Sequence, residues 1–198
     1  MKLFDEYPLL TDGRILLRKI VLSDVEALQA LRTDQEVYRY LPTFLYEQKY
    51  EDVYEVIGRM DEECFRTKES ILLAVCLADQ PDTLCGIAEI YAWEPWRRKA
   101  SIGYRLRREY WGRGIATAAA RLLKDYLFRT VYLNTVTAHV MSANRASAAV
   151  LIKAGFPERY SDVIEDWGLG VPVLVDKYVL KEAEDLSAET GMRMEKME

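Results

Sequence analysis

Residues 104–119, YRLRREYWGRGIATAA, constrain this chain more than any other segment. A β-patterned stretch passes through a turn, with Gly112 and Gly114 either side of Arg113, into an Ala- and Leu-rich run of helical character. A strand that enters a helix through glycines aims several backbone N–H groups one way at the helix's positive end. It also leaves no side chain in the path of a ligand. That arrangement cradles a diphosphate. Two competing cradles fail on residue type. A Walker loop needs a Gly-Lys-Ser/Thr ending, which is absent. A dinucleotide fingerprint needs a third glycine where Thr117 stands, on an early strand. The plainer alternative is a helix start with convenient glycines, and the motif alone does not separate the two.

Composition narrows the setting. The 198 residues, half of them hydrophobic, suit one large domain or one domain plus a tail. The net charge of -5 argues against general nucleic-acid binding and agrees with a cationic substrate. Three cysteines, Cys64, Cys76 and Cys85, and a single histidine, His139, show no metal-ligand spacing. No metal and no disulfide framework are expected. The acidic start of the chain does not read as a signal peptide, and no apolar run reaches spanning length. The expectation is a cytoplasmic protein without membrane contact.

Residues 13–20 read as a first strand after a Thr11-Asp12-Gly13 turn. Ser23-Asp24-Val25-Glu26 reads as a capping box that opens a short helix, and a second helix is expected over residues 47–66. Residues 71–77, 83–93 and 99–107 form an antiparallel meander, with its first turn at Gln80-Pro81-Asp82. A helix over 113–128 then leads to a strand over 133–140, which implies a right-handed crossover and a parallel pair. A helix over 144–154 stops at Gly155, and strands follow at 160–167 and 171–180. Residues 1–180 are expected to form one domain. Residues 181–198 are charged, lack a helical apolar face and are expected to be frayed or disordered.

A second segment, residues 142–156 (SANRASAAVLIKAGF), supports the cradle reading. Together with YWGRGIAT it resembles the GCN5-related N-acetyltransferase (GNAT) superfamily. Within that superfamily it resembles the ribosomal-protein N-terminal acetyltransferase branch. The Q/R-x-x-G-x-G/A signature falls on residues 111–116, with Trp111 in the place of Gln or Arg. Ile102-Gly103-Tyr104, Asn144-x-x-Ser147 and Lys153-x-Gly155-Phe156 also match. The resemblance spans about residues 13–180 in element order, and its specific motifs lie between Gly86 and Phe156.

The resemblance implies an α/β (α+β) fold. Its sheet is mixed, mostly antiparallel and twisted, with about seven strands and helices on both faces. It splays between the fourth and fifth strands, residues 99–107 and 133–140. Acetyl-CoA is then the co-substrate. Pantetheine lies along Tyr104, Arg105 and Leu106, with the Leu106 N–H on the oxyanion. The diphosphate lies on the stretch formed by Trp111, Gly112, Arg113, Gly114, Ile115, Ala116 and Thr117. Arg105, Arg107, Arg108 and Arg113 either meet phosphates or form a solvated face. Asn144 is placed near the pantetheine amides, or caps its helix, and Ser147 is placed near the sulfur. Many relatives carry a proton-donating Tyr where this chain has Ile152, which leaves Ser147, another Tyr or water. The branch's acidic residue after Ala-Thr is replaced by Ala118.

Glu89, a carboxylate in a mostly apolar strand, is the candidate base, with exposure on a solvent face as its alternative. Glu94 is second choice. His139 reads as a bonded core or edge histidine. Tyr91, Trp93 and Trp96 either line an acceptor site or pack. The implied activity is direct acetyl transfer to a primary amine, from a peptide N-terminus or a small molecule. A non-catalytic acyl-CoA sensor is the rival, and either a monomer or a homodimer is compatible.

Overall fold

Ser70–Leu77 (SILLAVCL) is buried along nearly its whole length, because a strand covered on both faces needs a continuous apolar run. It is a central strand of an eight-stranded sheet in this computed structural model, which describes residues 3–183. The strands are β1 (Leu10–Thr11), β2 (Ile15–Lys19), β3 (Ser70–Leu77), β4 (Gln80–Glu94), β5 (Lys99–Leu106), β6 (Thr135–Met141), β7 (Glu158–Glu165) and β8 (Val173–Lys181). Their order is β1-β2-β3-β4-β5-β6-β8-β7, and every neighbouring pair is antiparallel except β5 with β6. The helices are α1 (Val25–Arg32), α2 (Gln35–Tyr38), α3 (Val53–Met60), α4 (Ile115–Arg129) and α5 (Arg145–Lys153).

Alternation along the strands feeds two cores. Leu73, Val75, Ala88, Ile90 and Ile102 pack with Ala119, Leu123 and Leu127 of α4 and with Leu151 of α5. Leu72, Ala74, Cys76 and Ile87 pack on the opposite face with Leu28, Leu31, Val56 and Ile57 of α1 and α3. Helices therefore cover both faces. Among the described residues no helix is long and apolar enough to cross a membrane, and no group of His, Cys, Asp and Glu has the arrangement of a metal site.

The expected meander is β3-β4-β5, and the expected parallel pair is β5-β6 across α4. The differences have local causes. The eighth strand is β1, where Leu10 and Thr11 pair with Leu17 and Leu16 across the Thr11-Asp12-Gly13 turn, too short a stretch to show a strand pattern in sequence. The β3–β4 turn falls at residues 78–79, so Gln80 and Pro81 belong to β4. The long second helix is three pieces: a 3-10 turn at Tyr46–Gln48, α3, and a π turn at Asp61–Arg66. Asp52 starts α3 afresh by accepting the Tyr54 N–H at 2.9 Å. Before α1 the carboxylate that reaches back is Asp24, not Glu26. It accepts the Val21 N–H at 2.9 Å and binds Arg18 at 2.7 Å. Lys181 belongs to β8 and residues 182–183 continue helically. The rest of the expected tail lies outside the described residues.

Candidate active site

The sheet opens between β5 and β6. Their register holds only at Lys99↔Thr135, Ala100↔Val136 and Ser101↔Thr137, while β5 runs on to Leu106. Hydrogen-bond parity shows what the free edge presents. The Arg107 N–H donates to the Cys85 carbonyl at 2.9 Å, and the same register carries Gly86 opposite Leu106 and Ala88 opposite Tyr104. In an antiparallel ladder the bonding direction alternates, so the Ile102, Tyr104 and Leu106 amides face the gap. The Trp111 indole closes the end of this edge by donating to the Leu106 carbonyl at 2.8 Å.

Past Trp111 the chain makes the glycine turn. Gly112 and Gly114 have φ of 71 and 76, a left-handed conformation that favours glycine. A Cβ at either position would meet nothing within 4 Å, so the turn is open on the side where a ligand would lie. Gly114 is the N-cap of α4 and offers no side-chain cap. The first N–H groups of a helix lack intrahelical partners. The amides of Ile115, Ala116 and Thr117 therefore stand at the positive end of α4 beside those of Gly112, Arg113 and Gly114. An uncapped, open, glycine-built helix start has the donor chemistry a diphosphate needs.

Across the gap, α5 begins at Asn144, whose Oδ1 accepts the Ser147 N–H at 3.1 Å. The cap consumes only the amide oxygen and leaves the nitrogen free to donate. The Tyr104 hydroxyl lies 3.0 Å from both the Ser147 carbonyl and its Oγ. Burial pushes the Tyr104 phenol above its ordinary pKa. Ile152 is exposed. These elements share one cavity of about 1220 Å³, which also takes in Glu89, Tyr91, His139 and Trp167.

Of the four arginines, Arg105 departs from both expectations, a phosphate contact or a solvated face, because its side chain is buried. Arg107 pairs with Glu109 at 2.6 Å, and Arg108 with Asp34 at 2.6 Å. The Arg113 guanidinium sits 5.5 Å from the Tyr110 ring centroid. Arg105 offers a cofactor neither its backbone nor its side chain. Its amide and carbonyl face β4 by parity. Its guanidinium is buried between two carboxylates, with Nη1 2.8 Å from Glu89 Oε2 and Nη2 on Glu47 Oε2. Glu47 also accepts the Tyr38 hydroxyl at 2.8 Å.

Glu89 is thus buried, not on a solvent face. Burial raises its pKa above the usual carboxylate range; Arg105 opposes the rise and the Glu47 charge adds to it. Glu94 is held by Lys99 at 2.9 Å and Arg97 at 3.2 Å, is lowered in pKa first by its hydrogen bond to Lys99, and does not line the cavity. His139 does line it, with Nδ1 3.2 Å from Glu165 Oε1. Glu165 also binds Lys177 at 2.8 Å and the Trp167 indole at 2.9 Å. Burial lowers the His139 pKa, which favours neutral imidazole. Of the three aromatics weighed for an acceptor site, Tyr91 lines the cavity. Trp93 packs 5.3 Å from the Phe4 ring, and Trp96 is exposed. Tyr40, Phe44 and Trp167 are lining aromatics that the sequence did not single out. Residues 39–48, between α2 and α3, form a strap along the cavity, and Thr43 ties it to the β7–β8 connection by donating its N–H to the Trp167 carbonyl at 3.0 Å.

Residues 14–157 match the family model described as the acetyltransferase (GNAT) domain. The chain belongs to the GNAT family. It is similar to the uncharacterized N-acetyltransferase p20 of Bacillus licheniformis, 27% identical over 168 residues, 84% of this chain and 90% of that protein. YdaF of Bacillus subtilis, provisionally named a ribosomal N-acetyltransferase, is 40% identical over 76 residues, 38% of this chain and 42% of that protein. The fold matches that of a spermidine N-acetyltransferase from Vibrio cholerae solved with CoA and spermine. The TM-score is 0.72 at 18% identity, over 88% of this chain and 99% of that one. The GNAT protein is accordingly an acyltransferase of the N-acetyltransferase kind, and acetyl-CoA is its family's acetyl donor.

Proposed function

We propose that this enzyme transfers acetyl directly from acetyl-CoA to a primary amine that enters from the α1–α3 face. One observation carries the reading. β5 presents unpaired amides to the gap along its edge, and the carboxylate of Glu89 lies on its neighbour β4, inside the same cavity. Bound acetyl-CoA supplies the activated acyl carbon. The amides of Gly112 through Thr117 hold its diphosphate, and that of Tyr104, with the Asn144 side-chain nitrogen, aligns the pantetheine. The Leu106 N–H steadies the oxyanion. Glu89 receives the proton that the ammonium must lose before attack. Ser147, oriented by Tyr104, donates toward the departing sulfur. Ser147→Ala is expected to lower turnover about tenfold at every pH, with a smaller effect on binding, since thiolates leave readily. Steady-state kinetics beside calorimetry checks this. Equal turnover in the variant removes Ser147 from the pathway.

The acceptor proposed is a peptide or protein N-terminus, in keeping with the branch its motifs resemble. A second reading, a small polyamine, draws on the solved spermidine N-acetyltransferase and on a cavity lined by Tyr40, Phe44, Tyr91 and Trp167. Mass spectrometry of an N-terminal peptide panel and a polyamine and aminoglycoside panel, each with acetyl-CoA, separates them. Product on the peptides supports the first reading, and product on small amines alone overturns it. Binding of acetyl-CoA with no thiol release from either panel overturns catalysis itself and leaves the sensor.

A further inference from the structure

Arg105 is shared. Its Nη1 meets Glu89 at 2.8 Å, its Nη2 meets Glu47, and all three residues are buried. Glu89 comes from β4 and Arg105 from β5. Glu47 comes from the 3-10 turn of the strap over the acceptor side, with Tyr38 of α2 bound to its other oxygen at 2.8 Å. Two carboxylates and one guanidinium carry a net single negative charge in a low-dielectric setting, where uncompensated charge is costly. Which carboxylate can accept a proton follows from what would remain. Protonating Glu89 leaves Glu47 and Arg105 as a neutral, hydrogen-bonded pair. Without the Glu47 charge, protonating Glu89 would strand a buried guanidinium.

We propose that Glu47 is a positioning residue for acetyl transfer, which by holding one arm of Arg105 leaves the Glu89 carboxylate able to receive the acceptor's proton. This rests on Glu89 being the base. The step balances without a further reactant. The N–C bond forms and the C–S bond breaks; the ammonium gives one proton to Glu89, which passes it to solvent, and the second N–H proton of the tetrahedral adduct reaches the thiolate through Ser147 or water. The groups facing Glu89 are few. They are Arg105 on β5, Glu47 on the strap side, Cys64 in the π turn, Glu69 at the approach to β3, and Tyr91 on β4, while Tyr38 faces Glu47 and Arg105. Glu47 is the nearest like charge that also binds the same guanidinium, so its removal acts twice in the same direction.

The sign is therefore fixed. With Glu47→Gln, the Arg105 charge is opposed by Glu89 alone, and Glu89 stays ionised to lower pH. The acid limb of the turnover profile should move down by about one pH unit, toward the lower end of what one charge does at short range. Turnover on the plateau should fall about tenfold as the base weakens. The same shift should appear without any substrate. The Glu89 carboxyl band in infrared titration, assigned by its loss in Glu89→Gln, should titrate lower in Glu47→Gln. Glu47→Asp, shorter by one methylene, should fall between, and serves where the Gln variant does not fold by circular dichroism. A slower variant with limb and band unmoved overturns the proposal and makes Glu47 a structural tether. His139 is a further titratable group in the same cavity, its pKa lowered by burial. An acid limb that keeps its native position in Glu89→Gln, or is lost in His139→Asn, overturns the base assignment and the proposal with it.

Discussion

Glu89→Gln is expected to lower turnover by about a hundredfold near neutral pH, the scale of one general base, with acetyl-CoA affinity unchanged. The expectation follows from position and from charge. Glu89 lies on β4 within the cavity, whereas the amides proposed to hold the cofactor lie along the edge of β5 and at the start of α4. The substitution keeps shape, and it leaves Arg105 paired with Glu47, so the buried cluster becomes neutral and not orphaned. The pH dependence carries the diagnosis. The α-ammonium of a peptide titrates at about 8 and an alkyl ammonium at about 10, so near the pH that fits the acceptor the free amine is already abundant and the base matters less. Below Glu89's own titration, which burial places above the ordinary carboxylate range, the native enzyme also loses its base. The gap between native and variant should be widest between those limits and close toward alkaline pH. A pH series of turnover with saturating acetyl-CoA measures it. Native activity from acid to neutral pH would make Glu89 a structural partner of Arg105 and pass the role to another cavity group.

The parts of the molecule that were readable in sequence share a cause: each is set by residues close together in the chain. The meander β3-β4-β5 announces itself through apolar runs and breaks, and the start of α4 through two glycines whose positive φ the structure confirms. Asn144 and Ser147 are one helical turn apart, so their shared face follows from spacing alone. What escaped depends on contacts between distant residues. Arg105 sits in a basic run, RLRR, that invites a phosphate reading. Its fate was decided by strand alternation and by a glutamate 58 residues earlier. Nothing near Glu47 marks it as buried, because it stands in a segment whose apolar spacing imitates one long helix. The group of His139, Glu165 and Lys177 is assembled from β6, β7 and β8, and β8 reaches its place between the other two only in the folded sheet. A polar residue that looks exposed in a local pattern can thus be the centre of a site when its partners come from other strands.

Gly114→Glu should abolish measurable acetyl-CoA binding or weaken it by at least about a hundredfold, some 3 kcal/mol, while the fold persists. Three effects of the substitution add. At φ 76 a side chain strains the backbone by about 1–2 kcal/mol, which the native turn avoids. The new Cβ meets nothing within 4 Å, so the chain can tolerate it, and the added side chain enters the space proposed for the diphosphate. Its carboxylate then lies at the uncapped positive end of α4, where it can take the amides of Ile115, Ala116 and Thr117 for itself. The bound diphosphate would lose its donors and face a like charge. Gly114→Ala separates these effects, because it adds the strain and a methyl group but no charge, and a loss of only about tenfold is expected from it. Calorimetry with acetyl-CoA, beside circular dichroism to verify folding, gives both numbers. Should the Glu variant bind as tightly as the native chain, the diphosphate does not rest on this turn. The first-turn amides of α4 would then serve the fold and not the cofactor.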